Sequence, residues 1–328
     1  MLMRIALWGP LVVATLLVGA YIYVHKPLAP DATELLQVPL SEEDPSLNRV
    51  GDLKYLGGLD IPRMGQNIGG LSGLRWDAES KRLLAITDDA RWVWMVPVEE
   101  DGRLTGVTEL EVGQLLGIYG EPLEGKQDGD SEALYRDEDG VWGVAFERHH
   151  RVMRYLNGLS KPPFETIFDP EGELEITEPN NGLESYAVGS QGHLMCAERL
   201  ATQGRSNCNF YSYAEDRHTD FAVSPPEEVE ALKGVPTDAD ALSDGTFLIL
   251  FRSYSPAKGN TAAIVAYEPD GTRSEIATFL PPLTIDNFEG LAVREEGDRT
   301  FLYIVSDDNF SSSQRTLLMK FELLATPS

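Results

Sequence analysis

Apolar residues after position 60 fall in short runs that alternate with polar residues, and clusters of Gly, Asp, Asn and Pro separate the runs. Period-two alternation between turn signals is typical of β-strands. The runs form five copies of one phrase: a polar cluster, a Ser or acidic residue, a strand, a tight turn and a second strand that ends in charge. The copies occupy residues 69–89, 129–148, 180–199, 236–253 and 287–308.

The five copies predict a β-propeller, because self-similarity near this period is the signature of a repeat architecture. Their aligned Ser or acidic positions are Ser72, Glu132, Glu184, Asp240 and Glu289. The spacings between these positions are 60, 52, 56 and 49 residues. Each copy supplies four strands except the last, which lacks one, and residues 52–62 offer the missing strand. We therefore expect an all-β fold of five four-stranded blades closed by an N-terminal strand; six blades are the alternative if one long blade is split.

The N-terminus carries a separate apolar segment. Residues 5–24 form a run of 20 positions without a formal charge, which is long enough for a membrane-spanning helix. Small residues at 18–20 resemble a cleavage site, so a removable signal peptide is the alternative. We expect residues 1–26 to be a signal anchor or signal peptide, residues 27–50 a linker, and residues 51–328 the propeller domain. The domain would be exported: periplasmic and anchored to a bacterial inner membrane, or secreted after cleavage.

The chain is strongly acidic, with 53 Asp and Glu against 27 Lys and Arg and a formal net charge of −26. General electrostatics therefore disfavour nucleic acid and anionic membrane surfaces as partners. Cations would be attracted, although the same composition is also typical of a protein that stays soluble in a salty or extracellular medium. We expect a monomer that contacts the membrane through its N-terminal segment alone.

The two cysteines are Cys196, on the second strand of the third copy, and Cys208, at the start of the next strand. A hairpin that turns near Thr202 would place them opposite each other. In an exported protein a cross-strand disulfide is then expected, with two unpaired thiols as the alternative.

Charged residues of the repeats should gather at one mouth of the central channel. In a propeller the first strand of each blade lines the channel, and the antiparallel second strand ends where the first begins. The strand-start acids Glu132, Glu184, Asp240 and Glu289 should therefore meet the charges that end the second strands. Those charges are Asp88, Asp89, Glu147, Arg148, Glu198, Arg199, Arg252, Asp307 and Asp308. Flanking polar residues include Asn67, Asp128, Asp130, Asn180, Asn181, Asp238, Asn287 and Asn309.

Four converging carboxylates repel one another and need compensation. One source is a hard cation, for which Ca²⁺ is the best candidate because it takes carboxylate and amide oxygens in flexible geometry. The other is pairing with Arg148, Arg199 and Arg252 from blade to blade, as a structural staple. The two can coexist. Guanidinium groups that stay available would bind a phosphate or carboxylate group of a substrate.

Other catalytic motifs are absent from the sequence. The chain has no G-x-S-x-G elbow, P-loop or dinucleotide fingerprint. Ser72 stands where the other copies carry an acid, and we expect a structural role for it. His149 and His150 are adjacent, so on a strand they would point to opposite faces and would not form a zinc pair. One of them could still act as an acid or base at the rim.

Several blocks of the repeats resemble, in order, the bacterial phytase-like family, which is also called "esterase-like activity of phytase". These blocks are LSGLRWD…LLAITDD, DSEAL…VWGVAFER, NNGLES…LMCAER, DADAL…LILFRS and NFEGLAV…LYIVSDDN. The resemblance covers about residues 50–325 and implies a β-propeller, frequent export, and a phosphate-ester or other esterase activity. The first copy departs from the others, with Ser72 in place of the acid and no arginine after Asp89.

The sequence therefore predicts an exported phytase-like propeller that hydrolyses a small anionic phosphate or carboxylate ester. The four acids Glu132, Glu184, Asp240 and Glu289 would hold Ca²⁺, and the three arginines Arg148, Arg199 and Arg252 would bind the anionic part of the substrate. The rival interpretation is a non-catalytic propeller that binds a ligand or a partner in the cell envelope.

Overall fold

The computed structural model describes residues 35–62, 68–168, 182–201, 205–231 and 233–324, with the backbone alone at 198–201 and 205–207. The predicted membrane segment lies outside these ranges. None of the helices in the described part of the chain is long and apolar enough to cross a membrane.

The described residues form twenty-two strands and two short helices. Three strands come first: β1 (Leu36–Gln37), β2 (Arg49–Val50) and β3 (Leu53–Asp60). Blade 1 contains β4 (Leu71–Asp77), β5 (Arg82–Thr87), β6 (Arg91–Glu100) and β7 (Arg103–Gln114). Helix α1 (Gly125–Gly129) leads into blade 2, which contains β8 (Ser131–Arg136), β9 (Trp142–Phe146), β10 (Arg151–Tyr155) and β11 (Glu165–Phe168). Blade 3 contains β12 (Leu183–Gly189), β13 (Gly192–Ala201), β14 (Arg205–Ser212) and β15 (Arg217–Val223).

Helix α2 (Glu227–Glu230) precedes the last two blades. Blade 4 contains β16 (Val235–Ala241), β17 (Phe247–Ser255), β18 (Gly259–Tyr267) and β19 (Arg273–Phe279). Blade 5 contains β20 (Phe288–Glu296), β21 (Arg299–Ser306) and β22 (Leu317–Leu323), and its fourth strand is β3. Strands β22 and β3 are antiparallel, with Leu317 opposite Asp60 and Leu323 opposite Leu53. The predicted five blades of four strands, closed by an N-terminal strand, are thus confirmed, and the six-bladed alternative is wrong.

The core consists of apolar layers between neighbouring blades, because each sheet is covered on both faces. Leu250 and Ile264 of blade 4, for example, pack with Leu291 and Ile304 of blade 5, and all four are fully buried. This arrangement explains why β17 reads as a continuous apolar run rather than a strict alternation. The layer between blades 2 and 3 is the smallest of the five described.

Residues 35–50 pack onto the propeller. Strand β1 pairs with β3, Ser41 forms a bridge with Leu283, and Leu40 is fully buried in the layer of blades 4 and 5. The domain therefore begins ahead of the predicted boundary at residue 51. In blade 3, Cys196 lies opposite Cys208 and a disulfide joins them across β13 and β14.

Every innermost strand carries a β-bulge at the same position. One residue of the innermost strand is left without an opposite partner on the second strand. The bulge residues are Gly73, Glu132, Glu184, Thr237 and Glu289. Their spacings are 59, 52, 53 and 52 residues, which are more regular than those of the sequence alignment. Glu132, Glu184 and Glu289 are structurally equivalent, whereas Ser72 lies one residue before its bulge and Asp240 three residues after.

Candidate functional site

One end of the propeller axis gathers the ends of ten strands. The innermost strands β4, β8, β12, β16 and β20 begin there, and the second strands of the five blades end there. We call this end the entry face, and the opposite end, where the innermost strands finish, the exit face. The bulge glutamates Glu132, Glu184 and Glu289 lie on the entry face, since the bulges occur at the beginning of each innermost strand.

Three carboxylates of blade 2 come together on the entry face. Asp130 precedes β8, Glu132 is its bulge residue, and Glu147 follows β9. One oxygen from each lies within 4.8 Å of the other two, an arrangement that could hold a metal ion. Among the described residues this is the one group of three or more acidic, His or Cys side chains with that geometry. Glu132 belongs to the predicted ligand set; Asp130 and Glu147 were predicted to lie at the mouth, but not as ligands.

The three carboxylates differ in how their charge is compensated. Asp130 is buried and accepts hydrogen bonds from Lys126 Nζ at 2.7 Å and from Arg148 Nε at 2.6 Å. Glu147 accepts one from the backbone N–H of Gly182 at 2.6 Å. Burial, and then the charges of Glu147 and Asp130, raise the pKa of Glu132 well above its usual value. Although part of Glu132 stays accessible to solvent, its carboxyl is held among like charges.

Asp88 extends the acidic group toward blade 1. Its Oδ2 accepts a hydrogen bond from Lys126 Nζ at 2.8 Å, which ties the turn after β5 to α1. Its Oδ1 is buried and has no hydrogen-bond partner in the described part of the chain. Burial raises the pKa of Asp88, against the effect of Lys126. The charge of Asp88 also raises the pKa of Glu132, so the two carboxyls share one electrostatic environment.

A second acidic group lies in blade 5. Burial raises the pKa of Asp307 to about 7, and the charges of Asp88 and Asp308 add to this effect. Glu289 is bound by Arg252 of blade 4 at 2.9 Å and by Asn287 Nδ2 at 2.9 Å. Arg252 therefore joins two blades, as the staple interpretation predicts for this arginine.

The predicted arginines Arg148 and Arg252 make different contacts. Arg148 lies in the turn after β9 with a φ of 61°, which is uncommon for a residue other than glycine, and its Nε reaches back to Asp130. Arg252 pairs with Glu289. The side chain of Arg199 lies outside the described residues. The carboxylates that these arginines contact come from the entry face, but the structure does not bring the four predicted acids to one point.

A cavity of about 930 Å³ opens beside the carboxylates of blade 2. Its polar lining includes Asp128, Arg148, His149 and His150, and its apolar lining includes Ile118, Tyr119, Leu123 and Met153. His149 Nδ1 lies 2.9 Å from Asp128 Oδ1. The expectation that the two histidines point to opposite faces of a strand is wrong, because they lie in the turn between β9 and β10 and both line this cavity.

Asp240 lies at the far end of β16, on the exit face. Its carboxylate accepts hydrogen bonds from the backbone N–H groups of Ala241 at 2.9 Å and Val293 at 2.8 Å. The sequence alignment misplaced it because the strand PTDADA carries two acids with period two, and Thr237 takes the bulge position. Asp240 is therefore not a neighbour of Glu132 at the entry face.

Arg75 and Asp238 close the propeller axis between the two faces. Arg75 Nη1 lies 3.0 Å from Asp238 and 3.0 Å from the Leu291 carbonyl, and Nη2 donates to the carbonyls of Tyr186 at 2.8 Å and Ala239 at 2.5 Å. These partners belong to blades 3, 4 and 5, while Arg75 itself belongs to blade 1.

Burial raises the pKa of Asp238 to about 6 against the effect of Arg75. The sequence analysis did not predict this pair. A usable signal was present, because Arg75 and Asp238 are charged residues within strands that were predicted to line the channel.

Ser72 has the structural role expected of it. Its hydroxyl donates a hydrogen bond to the carbonyl of Glu132 at 2.7 Å, which joins the innermost strands of blades 1 and 2. The hydroxyls of Ser131 and Thr237 make equivalent bonds to neighbouring blades, at 2.6 Å to the Thr87 carbonyl and 3.0 Å to the Phe288 carbonyl. Small hydroxyl side chains at the start of the innermost strands thus help to join neighbouring blades.

Comparison with solved structures finds chains that are similar to this one at low sequence identity. An α-L-arabinofuranosidase from Podospora anserina has a TM-score of 0.47 and 9% identity, covering 82% of this chain and 94% of its own. An aldose sugar dehydrogenase from Streptomyces coelicolor has a TM-score of 0.45 and 12% identity, covering 84% and 99%. A gluconolactonase from Xanthomonas campestris has a TM-score of 0.41 and 12% identity, covering 90% and 99%. Such likeness concerns the fold alone and says nothing about activity.

No curated protein matches the sequence of this chain. The family model described as "phytase-like: esterase-like activity of phytase" matches residues 66–310, which are 245 of the 328 residues. The match spans the bulge residues of all five blades and the carboxylates of the entry face. The chain therefore belongs to the phytase-like family.

Proposed function

We propose that this phytase-like propeller is a metal-dependent hydrolase of small anionic esters, with phosphate or carboxylate esters as substrates. The observation that carries the proposal is the group Asp130, Glu132 and Glu147, whose oxygens lie within 4.8 Å of one another. Of the four acids predicted from the sequence, Glu132 is retained as a ligand, and Asp240 is removed because it lies on the exit face.

The donor set fits a hard cation. All three ligands are carboxylate oxygens, which Ca²⁺ prefers and accepts in flexible geometry. The raised pKa of Glu132 and the buried, unpartnered Oδ1 of Asp88 both indicate negative charge that the protein itself does not fully compensate. A bound cation would supply that compensation. When bound, it would polarise the ester or lower the pKa of a water molecule.

The residues of the chain would place the substrate. Arg148 uses Nε on Asp130, and no other contact of its guanidinium is formed within the described ranges. Its remaining N–H groups can therefore bind a phosphate or carboxylate group at the edge of the cavity. The apolar side of the same cavity, formed by Ile118, Tyr119 and Met153, would accept the rest of the ester.

The experiment compares the wild-type domain with Glu132→Gln and with the exposed control Glu100→Gln. We expect millimolar Ca²⁺ to raise the melting temperature of the wild type and the control, and EDTA to reverse the shift. Glu132→Gln should lose the shift and most hydrolysis of p-nitrophenyl phosphate or of the p-nitrophenyl monoester of succinate, both of which carry a negative charge. A wild-type melting temperature indifferent to Ca²⁺ and EDTA would eliminate the metal site. Equal turnover by wild type and Glu132→Gln would eliminate the assignment of Glu132.

A non-catalytic propeller is the second candidate, and the ion pairs of the entry face favour it. Lys126 joins Asp88 to Asp130, and Arg252 joins blade 4 to Glu289, so part of the charge already serves as staples between blades. This candidate predicts that substitutions on the entry face change stability alone. No turnover of either ester by metal-loaded protein, together with a normal melting temperature, would support it.

We also propose export of the domain, with the N-terminal apolar segment as anchor or signal. The disulfide between Cys196 and Cys208 supports this location, because such bonds persist in oxidising compartments. Fractionation of cells that express the full chain tests the proposal. A cytoplasmic product with both thiols reduced would contradict it.

A further inference from the structure

The exit face holds a cavity on the propeller axis, separate from the carboxylates of the entry face. It has a volume of about 300 Å³, and residues from the innermost strands of all five blades line it. Arg75 and Asp240 form its floor, Trp76 and Tyr135 contribute its aromatic walls, and Arg136 and Glu295 lie among its other lining residues. Because the Arg75–Asp238 pair closes the axis behind this floor, a ligand would enter from the exit face.

The floor presents a donor and an acceptor at a distance that suits a hydroxyl group. Arg75 is 4% exposed, and its two Nη atoms are fully engaged by Asp238 and by backbone carbonyls. Its Nε lies 3.9 Å from Asp240 Oδ1, beyond hydrogen-bond range, and makes no hydrogen bond within the described part of the chain. A hydroxyl between them could accept from Nε and donate to the carboxylate. Asp240 is held for this role by the backbone N–H groups of Ala241 and Val293.

The two guanidinium groups of the lining are already paired. Arg75 pairs with Asp238, and Arg136 pairs with Asp77 and Glu79, while Asp240 and Glu295 add two carboxylates to the lining. Arg136 Nε is buried and has no hydrogen-bond partner among the described residues, while its Nη1 pairs with Asp77. Paired guanidinium groups and two lining carboxylates disfavour an anion. The Arg75 Nε donor beside the Asp240 acceptor favours hydroxyl groups, because a neutral hydroxyl accepts and donates at once.

The aromatic walls are rigid. Trp76 stacks against Tyr303 with ring centroids 6.1 Å apart, and Tyr135 stacks against Tyr186 at 4.0 Å. The other face of Tyr135 covers Gly143, so this ring presents its edge to the cavity. Rings held in this way supply rigid apolar surface without loss of conformational entropy on binding. Rigid apolar walls, a hydrogen-bonding floor and a volume at the lower end for ligand sites suit a compact molecule that is both polar and ring-shaped.

We propose that this axial cavity is a second binding site, for a small neutral polyhydroxylated molecule the size of a single sugar ring. Hydroxyls of the ligand bridge Arg75 Nε to Asp240 and reach Arg136 and Glu295, and its C–H groups lie against Trp76 and the ring edge of Tyr135. The site is independent of hydrolysis at the entry face, so it stands whether or not the carboxylates there hold a metal.

The test is a titration of the wild-type domain with D-glucose, D-galactose and D-mannitol, followed by tryptophan fluorescence and calorimetry. We expect a saturable signal from at least one of the three, since Trp76 lines the cavity. Asp240→Asn should weaken binding about tenfold or more, because it removes the charge from one hydrogen bond. Val188→Trp should abolish binding by filling the cavity while leaving the floor unchanged. Asp101→Asn, in the exposed turn between β6 and β7, is the matched control and should bind normally.

Near-ultraviolet circular dichroism establishes whether each variant is folded. If Asp240→Asn does not fold, Val188→Trp alone shows whether the ligand binds in the axial cavity. Absence of saturable binding of all three polyols to the wild type overturns the proposal. Binding that survives in Val188→Trp also overturns it, because the ligand then lies elsewhere. Equal or tighter binding of gluconate or glucosamine overturns the neutral ligand class.

Discussion

At the closed centre of the axis, a single guanidinium, that of Arg75, is surrounded by carbonyls from four blades and by the carboxylate of Asp238. At the entry face, by contrast, Asp88, Glu132 and Asp307 lie in one electrostatic environment, with only part of their charge compensated. The two regions draw on different positions of the repeat. Arg75 and Asp238 lie within innermost strands, after the bulge, whereas Glu132 is a bulge residue and Asp88 and Asp307 follow second strands.

The difference separates structural charge from functional charge. The Nη groups of Arg75 are engaged by Asp238 and by backbone carbonyls, and a buried ion pair satisfied in this way holds the blades in register. Carboxylates that raise one another's pKa leave a binding site for a cation, and such sites are where function is expected. The comparison can be tested by removing charge from each region.

The largest effect is expected at the axis. Arg75→Met removes one partner of a buried pair and leaves Asp238 without its counter-charge, so the free energy of unfolding should fall by about 3–5 kcal/mol. Urea denaturation measures the change. Arg217→Met, on an exposed side chain of β15, is the control and should cost little. A loss below about 1 kcal/mol for Arg75→Met would show that the axis does not depend on this pair.

An intermediate effect is expected from pH at the entry face. The pKa of Asp307 is about 7 in the folded protein and near its ordinary acidic value when unfolded. Between these values the folded state binds the extra proton, so the stability of metal-free protein should fall as pH rises from about 4 to 7. Asp307→Asn should remove most of this decline. Thermal unfolding in EDTA across this range measures it, with Asp101→Asn as control. An unchanged slope in Asp307→Asn would place the effect on other groups.

The smallest effect is expected from the staple of the entry face. Arg252 and Glu289 are 21% and 12% exposed and lie 2.9 Å apart, so solvent screens the pair more than it screens Arg75. Arg252→Met should therefore lower the free energy of unfolding by about 1 kcal/mol. Urea denaturation at low and high salt measures the difference. A cost as large as that of Arg75→Met would remove the distinction between the two regions.

The repeat itself could be predicted from the sequence, but its register could not be predicted in every blade. Glu132, Glu184 and Glu289 were placed correctly on equivalent positions, since each is the bulge residue of its innermost strand. Asp240 was misplaced because Asp238 and Asp240 both fit a period of two, and a bulge of one residue decides between them.

The closing pair of the axis shows why other parts of the site escaped prediction. Arg75 stands in LSGLRWD, where an alternating strand would place a polar residue in solvent. One of its five hydrogen-bond partners, Leu74, adjoins it in the chain, and the others are up to 216 positions away. The local sequence pattern around Arg75 therefore does not indicate the distant partners. Asp130 and Glu147 were predicted to lie at the mouth with Glu132, since β8 and β9 are antiparallel, but the sequence did not identify the three as one group.

By itself the sequence determined the architecture: five four-stranded blades, a closing strand before the first blade, and a crowd of acids at one end of the axis. Alternation and turn signals depend on residues that are close in the chain, and they recur in every blade, so they can be recognised from the sequence alone. Only the tertiary structure decided which acids meet, which are neutralised by Lys126, Arg148 or Arg252, and that Arg75 divides the axis into two separate compartments. Those outcomes depend on distances between blades, which exist only once the ring has closed.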